Sequence, residues 1–167
     1  MSETRFYFRA AGVAFHEGHI LLHRAEDEDF WSLPGGGVEL GEFAPETIVR
    51  EMHEELDTDV TVGALKFVIE NHFVYREKQY HEVCLYFEMA FAPDSPLLQK
   101  TTSHSGIERY FRVTEFRLIF EWVALDELPK RDLRPTPLIG LLTAPFDGIR
   151  HVLNRDNTVW PTHPLNF

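Results

Sequence analysis

Three consecutive glycines, Gly35, Gly36 and Gly37, followed by one amphipathic helical pattern from Phe43 to about Leu56, constrain the fold of this chain more than any other feature. Glycine lets backbone approach another group closely. Here the run follows a charged loop, Glu26 to Asp29, and the sequence Trp31-Ser32-Leu33-Pro34, and it reads as an irregular segment shaped for a ligand. Beyond it Ile48, Met52 and Leu56 recur every four residues with Val49 beside them, which gives a single apolar stripe. Pro45 suits a first helical turn, where its missing N–H costs nothing. Ala44, at the expected capping position, is a poor cap, so the helix start should rely on tertiary packing.

Each helical residue advances about 100°, which places Glu51, Glu54 and Glu55 within one arc of about 100°, well away from the apolar stripe. Like charges at these spacings destabilise a helix by a few tenths of a kcal/mol each, and a divalent cation would compensate them. Oxygen-only ligands select a hard ion, Mg²⁺ with Mn²⁺ as a substitute. On an arbitrary helix such residues would simply solvate an exposed face. The preceding loop reverses that reading, because Gly36, Glu42 and Arg50 stand at fixed distances from the three carboxylates.

The stretch GGGVELGEFAPETIVREMHEELDT resembles the signature box of the Nudix hydrolases, with Gly36, Glu42, Arg50, Glu51, Met52, Glu54 and Glu55 in place. Asp57 and Thr58 depart from the pattern, which expects a glycine and an aliphatic residue there. The family glycine ends the helix in a left-handed turn, a conformation Asp tolerates better than most residues. The resemblance implies an α/β/α sandwich with a mixed, curved β-sheet and one Nudix domain over residues 1–167. It also implies that Glu51, Glu54 and Glu55 hold the metal with a backbone carbonyl near Gly35. Glu42 and Arg50 would brace the loop against the helix, and Glu54, Glu55 and Arg50 would form the catalytic group. The reaction it implies is water attack on phosphorus in a nucleoside diphosphate linked to another moiety, with Glu55 or a later carboxylate, Glu108, Glu115 or Glu121, as general base.

Substrate choice in this family lies outside the box. Tyr75 falls where dinucleoside-polyphosphate hydrolases carry a tyrosine, nucleoside triphosphates and nucleotide sugars being the other classes considered, and Phe73 stands where many ADP-ribose hydrolases carry a proline. Tyr75, Tyr80 and His81, with Phe73, are the residues expected to stack on or hydrogen-bond a base. Two other readings share the fold. A ligand-binding regulatory module usually lacks box carboxylates, all of which are present here. An isomerase would need a catalytic cysteine, and the single Cys84 sits in the apolar run VCLYF, where an inert buried thiol is expected.

Acidic residues outnumber basic ones, 27 against 16, so the long-range field disfavours a nucleic acid polymer. A small polyphosphate remains compatible once a metal neutralises the local carboxylates. No apolar run approaches the ~18 residues of a membrane span and the start lacks the order of a signal peptide, so a cytoplasmic location is expected. Dimerisation is common in such proteins. Elsewhere the pattern predicts a hairpin of Thr4–Phe15 with His19–His23 and a second of Val60–Ile69 with His81–Phe91 across a charged connection. A polar loop is expected over Pro93–Glu108, a strand over Thr114–Val123, short helices at Asp126–Leu128 and Pro137–Thr143, and an irregular tail from Trp160 to Phe167 lying against the body.

Overall fold

The computed structural model describes residues 4–99, 103–110, 114–145 and 147–156. The expected irregular tail lies outside them. Two sheets form the body. The first, ordered β4-β1-β6-β5-β9, contains β1 (Thr4–Val13), β4 (Gly35–Gly37), β5 (Val60–Tyr75), β6 (Lys78–Phe91) and β9 (Arg150–Arg155). It is mixed: β1 runs parallel to β6 and β9 parallel to β5, while β4 and the β5–β6 hairpin are antiparallel. The second, β2-β3-β8-β7, is antiparallel and contains β2 (Phe15–His16), β3 (His19–Ala25), β7 (His104–Tyr110) and β8 (Thr114–Ala124).

Helix α1 (Ala44–Leu56) carries Ile48 and Met52, both fully buried, into one core with Ala10, Leu21, Met89, Phe120 and Trp122. Helix α2 (Leu138–Thr143) carries Leu138, Leu141 and Leu142 into a second core with Ala11, Leu22, Phe67, Ile69 and Tyr86. Alternation explains the division: Ala10 and Ala11, or Leu21 and Leu22, point to opposite faces of their strands and enter different cores. Each buried Leu, Ile or Met side chain contributes about 1.5–3 kcal/mol of transfer free energy. Helices on both sides of a mixed sheet give the α/β architecture expected. Among the described residues no helix is long and apolar enough to cross a membrane.

Several local expectations need correction. The first hairpin forms between β2 and β3, across Glu17 and Gly18 with φ of 44° and 78°, whereas β1 belongs to the other sheet. The glycine run is itself a strand: Gly35, Gly36 and Gly37 pair with Ala11, Ala10 and Arg9. A Cβ on Gly35 would stand 2.1 Å from the carbonyl oxygen of Ala10, so only glycine allows this approach. The second hairpin has no long connection, because its ladder runs to the Tyr75–Lys78 pair and closes over Arg76 and Glu77 alone, both at positive φ. The region expected as a loop over Pro93–Glu108 contains a 3-10 turn at Pro96–Leu98 and most of β7, and Trp122 Nε1 donates to the Leu97 carbonyl at 2.6 Å. The helix expected at Asp126–Leu128 is a 3-10 turn at Leu128–Lys130, and β9 was not anticipated.

The helix cap is Phe43, one residue before the expected position. Its N–H donates to Glu46 Oε2 at 2.8 Å, so a side chain supplies part of what packing alone was expected to supply. At the other end Asp57 adopts the left-handed conformation, φ 49° and ψ 46°, and its N–H donates to the His53 carbonyl at 3.0 Å. Cys84 is fully buried, and burial raises its thiol pKa, in keeping with an inert thiol.

Gly106 sits where β7 crosses the end of α1. A Cβ there would meet the Phe120 ring at 2.7 Å and the Glu55 carbonyl oxygen at 2.8 Å, whereas one on Gly140 of α2 meets nothing within 4 Å. Gly106→Ala is therefore expected to destabilise the chain by about 1–3 kcal/mol, a fall in Tm of several degrees. Gly140→Ala is expected to stabilise it by about 0.5–1 kcal/mol. Urea denaturation of both variants checks the contrast.

Candidate active site

The glycine strand and α1 meet through one arginine. Arg50 Nε donates to Glu42 Oε1 at 2.8 Å, and Nη2 reaches Glu42 Oε2 at 3.1 Å and the Gly37 carbonyl at 3.0 Å. On its other side Nη1 donates to Glu51 Oε1 at 2.9 Å and Glu54 Oε2 at 3.3 Å. Glu42 also accepts from Thr47 Oγ1 at 2.7 Å and from the Glu39 N–H at 3.1 Å. The Arg50 hydrogen bond, helped by that of Thr47, holds the Glu42 carboxyl down at about 2, and Glu42 in turn raises the Arg50 pKa.

The glycines shape the space around Glu51. A Cβ on Gly36 would lie 1.9 Å from Glu51 Oε1, so the carboxylate fills the place of the missing side chain. Burial raises the Glu51 pKa against the opposing pull of Arg50. Glu54 is 59% exposed and Glu55 is buried at 7%. Gly35 lies next to Gly36 on β4, against Ala11. Thus Arg50 draws Glu51 and Glu54 together, while Glu55 lies toward β7. Among the described residues no three His, Cys, Asp or Glu side chains converge as a ready-made metal cage. The donor set nonetheless fits a hard divalent ion: carboxylate oxygens on one helix and a glycine cradle, at Gly36, that a Cβ would fill.

The residues expected to contact a base divide between two faces. Tyr80 stacks on Phe73, with centroids 5.1 Å apart and planes 6° from parallel, and Tyr75 lies 6.4 Å from Tyr80 on the same face. The Tyr75 hydroxyl donates to Glu28 Oε1, and its ring contacts Phe30 and the Arg76 guanidinium. Burial and Glu28 raise its phenol pKa. His81 follows Tyr80 directly in the strand, so it projects to the opposite face, beside Phe6 and His72. The structure therefore separates His81 from the two tyrosines with which it was grouped. Of the later carboxylates, Glu121 accepts from Arg131 at 2.8 Å, whereas the side chains of Glu108 and Glu115 lie outside the described residues.

Sequence reasoning missed a buried polar group on the face that carries Tyr80. Arg9 Nη2 donates to the Leu33 carbonyl at 3.1 Å and lies 3.5 Å from His23 Nε2. Burial, reinforced by Arg9, depresses His23 to about 3 and keeps it neutral. Burial raises the pKa of Glu82, while Arg9 and a hydrogen bond from Asn71 oppose the rise. Asn154 Nδ2 donates to Asn71 Oδ1 at 2.7 Å. The available signal was a charge interrupting an apolar strand, Arg9 in FYFRAAG and Glu82 in HEVCLYF. Next to it, Arg24 Nη1 donates to the carbonyls of Ala25, Glu26 and Glu28, which orders the loop leading to Trp31 and the glycines.

The family model of the NUDIX domain matches residues 6–138 of this chain. The chain belongs to the Nudix family. YjhB of Bacillus subtilis strain 168, provisionally named an ADP-ribose pyrophosphatase, is 39% identical over 61 residues, 36% of this chain and 29% of that protein. The dihydroneopterin triphosphate diphosphatase of Escherichia coli K12 is 41% identical over 49 residues, 29% of this chain and 33% of that protein. The matches thus span about a third of the length of these curated relatives. The MutT protein of Methanosarcina mazei Go1 has a similar fold, with a TM-score of 0.56, 21% identity, and coverage of 84% of this chain and 93% of that one.

The Glu42–Arg50 contact makes stability depend on pH. The Glu42 carboxyl falls from 4.5 to about 2 on folding, so its contribution is complete above about pH 4.5 and is lost as pH falls through about 2. Glu42→Gln is expected to cost about 1–2 kcal/mol at pH 7, and the gap to wild type should close as pH falls from about 4.5 to 2. Denaturation at several pH values reads this directly; a constant gap would mean that the ion pair is not its source.

Proposed function

We propose that this chain is a divalent-metal-dependent hydrolase that cleaves the diphosphate bond of a nucleoside diphosphate linked to another moiety. The observation that carries the reading is the Arg50 bridge, which ties Gly37 and Glu42 of the loop to Glu51 and Glu54 of the helix and so closes the signature box in space. Glu51, Glu54 and Glu55, with the Gly35 carbonyl, would hold the ion. Bound Mg²⁺, or Mn²⁺ in its place, supplies charge neutralisation and Lewis acidity at phosphoryl oxygens. Glu55 is the first choice for the base that takes the proton of the attacking water, with Glu108 and Glu115 as alternatives. Glu121 ranks below them because Arg131 already engages it. Arg50 orients Glu51 and Glu54, and the charge it shares among three carboxylates keeps the helix face from repelling itself.

The Phe73–Tyr80 pair offers a planar apolar surface to a base, with Tyr75 beside it. Tyr75 keeps dinucleoside polyphosphates first among the substrates, with nucleoside triphosphates and nucleotide sugars next. The names of the two relatives add ADP-ribose and dihydroneopterin triphosphate as compounds to test. A small nucleotide-like substrate accords with an acidic chain only if the metal binds first.

Turnover of these compounds is expected with Mg²⁺ and not with EDTA. Glu54→Gln changes a largely exposed side chain, 59% accessible, and should leave the fold intact. It should lower kcat by about 10²-fold or more. Release of phosphate or nucleotide, measured for wild type and variant, decides the question. Binding of a compound without cleavage by wild type would replace the hydrolase with a ligand-binding regulatory module.

A further inference from the structure

Arg9 places a half-buried guanidinium in an otherwise apolar row. Across four strands that row runs Arg9–Cys84–Ile69–Val152, with Cys84 and Ile69 fully buried and Val152 packed against the same core. A cation in such a place ordinarily has a carboxylate partner, because taking its charge out of water is costly. Arg131 has Glu121 at 2.8 Å and Arg134 has Asp132 at 2.7 Å. Among the described residues Arg9 has no ion-pair partner. One N–H donates to the Leu33 carbonyl at 3.1 Å, and the other neighbour is His23 at 3.5 Å, which burial keeps neutral. A guanidinium has five donors, so most of the hydrogen-bonding capacity of Arg9 is unused.

The surroundings of Arg9 define the group that would use it. Its partner on β4 is Gly37, which has no side chain to lie over the guanidinium and whose carbonyl Arg50 binds from the helix. The Arg9 charge reaches two carboxylates through space. Burial raises the pKa of Glu51, and Arg50 and then Arg9 oppose the rise; burial likewise raises that of Glu82, and Arg9 opposes it. Arg9 therefore stands on the sheet side of the candidate site, across from the carboxylates of α1. Along β1, Arg5, Tyr7 and Arg9 share one face, and Arg5 pairs with Tyr80 of the Phe73–Tyr80 stack. Four residues of strand span about 13 Å, which leaves room for a nucleoside between a base on that stack and an anion at Arg9. A phosphoryl group suits the position, because a planar fork binds two of its oxygens with parallel charge-assisted hydrogen bonds.

We propose that Arg9 holds the substrate's diphosphate from the sheet side, donating to non-bridging oxygens of the phosphate nearer the nucleoside, opposite the α1 carboxylates. The identity of the anion rests on the proposed function. Arg9 is then a positioning residue outside the signature box. In a chain with 27 acidic against 16 basic residues, a fixed cation at this point also attracts a polyphosphate independently of the metal.

Inorganic pyrophosphate is the probe, titrated calorimetrically into the full chain with Mg²⁺ present. Arg9→Gln is expected to weaken its binding about 10-fold or more. Arg9→Lys should weaken it less, because the charge remains without the fork, and Arg134→Gln should leave it unchanged. For a compound that is turned over, Arg9→Gln should raise KM with a smaller change in kcat, as the loss of an interaction made equally in ground and transition states does. Wild-type protein carrying ¹⁵N-arginine gives a second measurement that does not depend on how a variant folds. The Arg9 Nε–H resonance, assigned through its own side-chain and backbone correlations, should shift when pyrophosphate is added. The inference is overturned if wild type does not bind pyrophosphate, if the Arg9 resonance does not move, if folded Arg9→Gln binds as tightly as wild type, or if Arg134→Gln loses as much affinity. Binding that depends on Arg9 without turnover of any compound upholds the inference and removes the hydrolase reading.

Discussion

Arg50 is the contact on which the candidate site depends. Its planar guanidinium carries five donors, and bonds to Glu42, Glu51, Glu54 and the Gly37 carbonyl use both edges of it. The loop thereby acquires a fixed position relative to the helix, although glycine-rich segments have little intrinsic order. A lysine could not do the same, because a single ammonium cannot fork between a loop and a helix face.

The glycine strand makes that contact possible. Gly35 lies against the Ala10 carbonyl and Gly36 against the Glu51 carboxylate, both closer than any side chain would permit. The strand then uses its backbone to pair with β1. Half-buried Arg9 extends from β1 to the Leu33 carbonyl just before the glycines. The two arginines therefore hold the loop from opposite ends, Arg50 from the helix and Arg9 from the sheet. Two buried or half-buried carboxylates, Glu51 and Glu82, stand near them, and burial raises the pKa of both.

The signature box of the family was legible because it is carried by short-range spacing. Glu51, Glu54 and Glu55 share a helix face for geometric reasons, and so do Ile48 and Met52 on the buried side. The left-handed end at Asp57 could be anticipated in the same way, since one residue must turn the chain there. Strand partners were less legible. Thr4–Phe15 and His19–His23 look like a hairpin locally, yet β1 joins β6 at a separation of more than seventy residues, and local sequence carries no record of such a pairing. The grouping of His81 with Tyr75 and Tyr80 failed for a simpler reason, because neighbours in a strand point to opposite faces.

The sequence by itself determined the family, the helix and which carboxylates share its polar face, because these follow from residue type and from periods of three to seven residues along one chain. Tertiary structure alone decided which aromatic residues share a face, that the three glycines form a strand, and that Arg50 draws Glu51 and Glu54 together while Glu55 is buried. Each of these outcomes depends on contacts between segments far apart in sequence, whose partners are selected by the packing of two cores and by which groups remain in water.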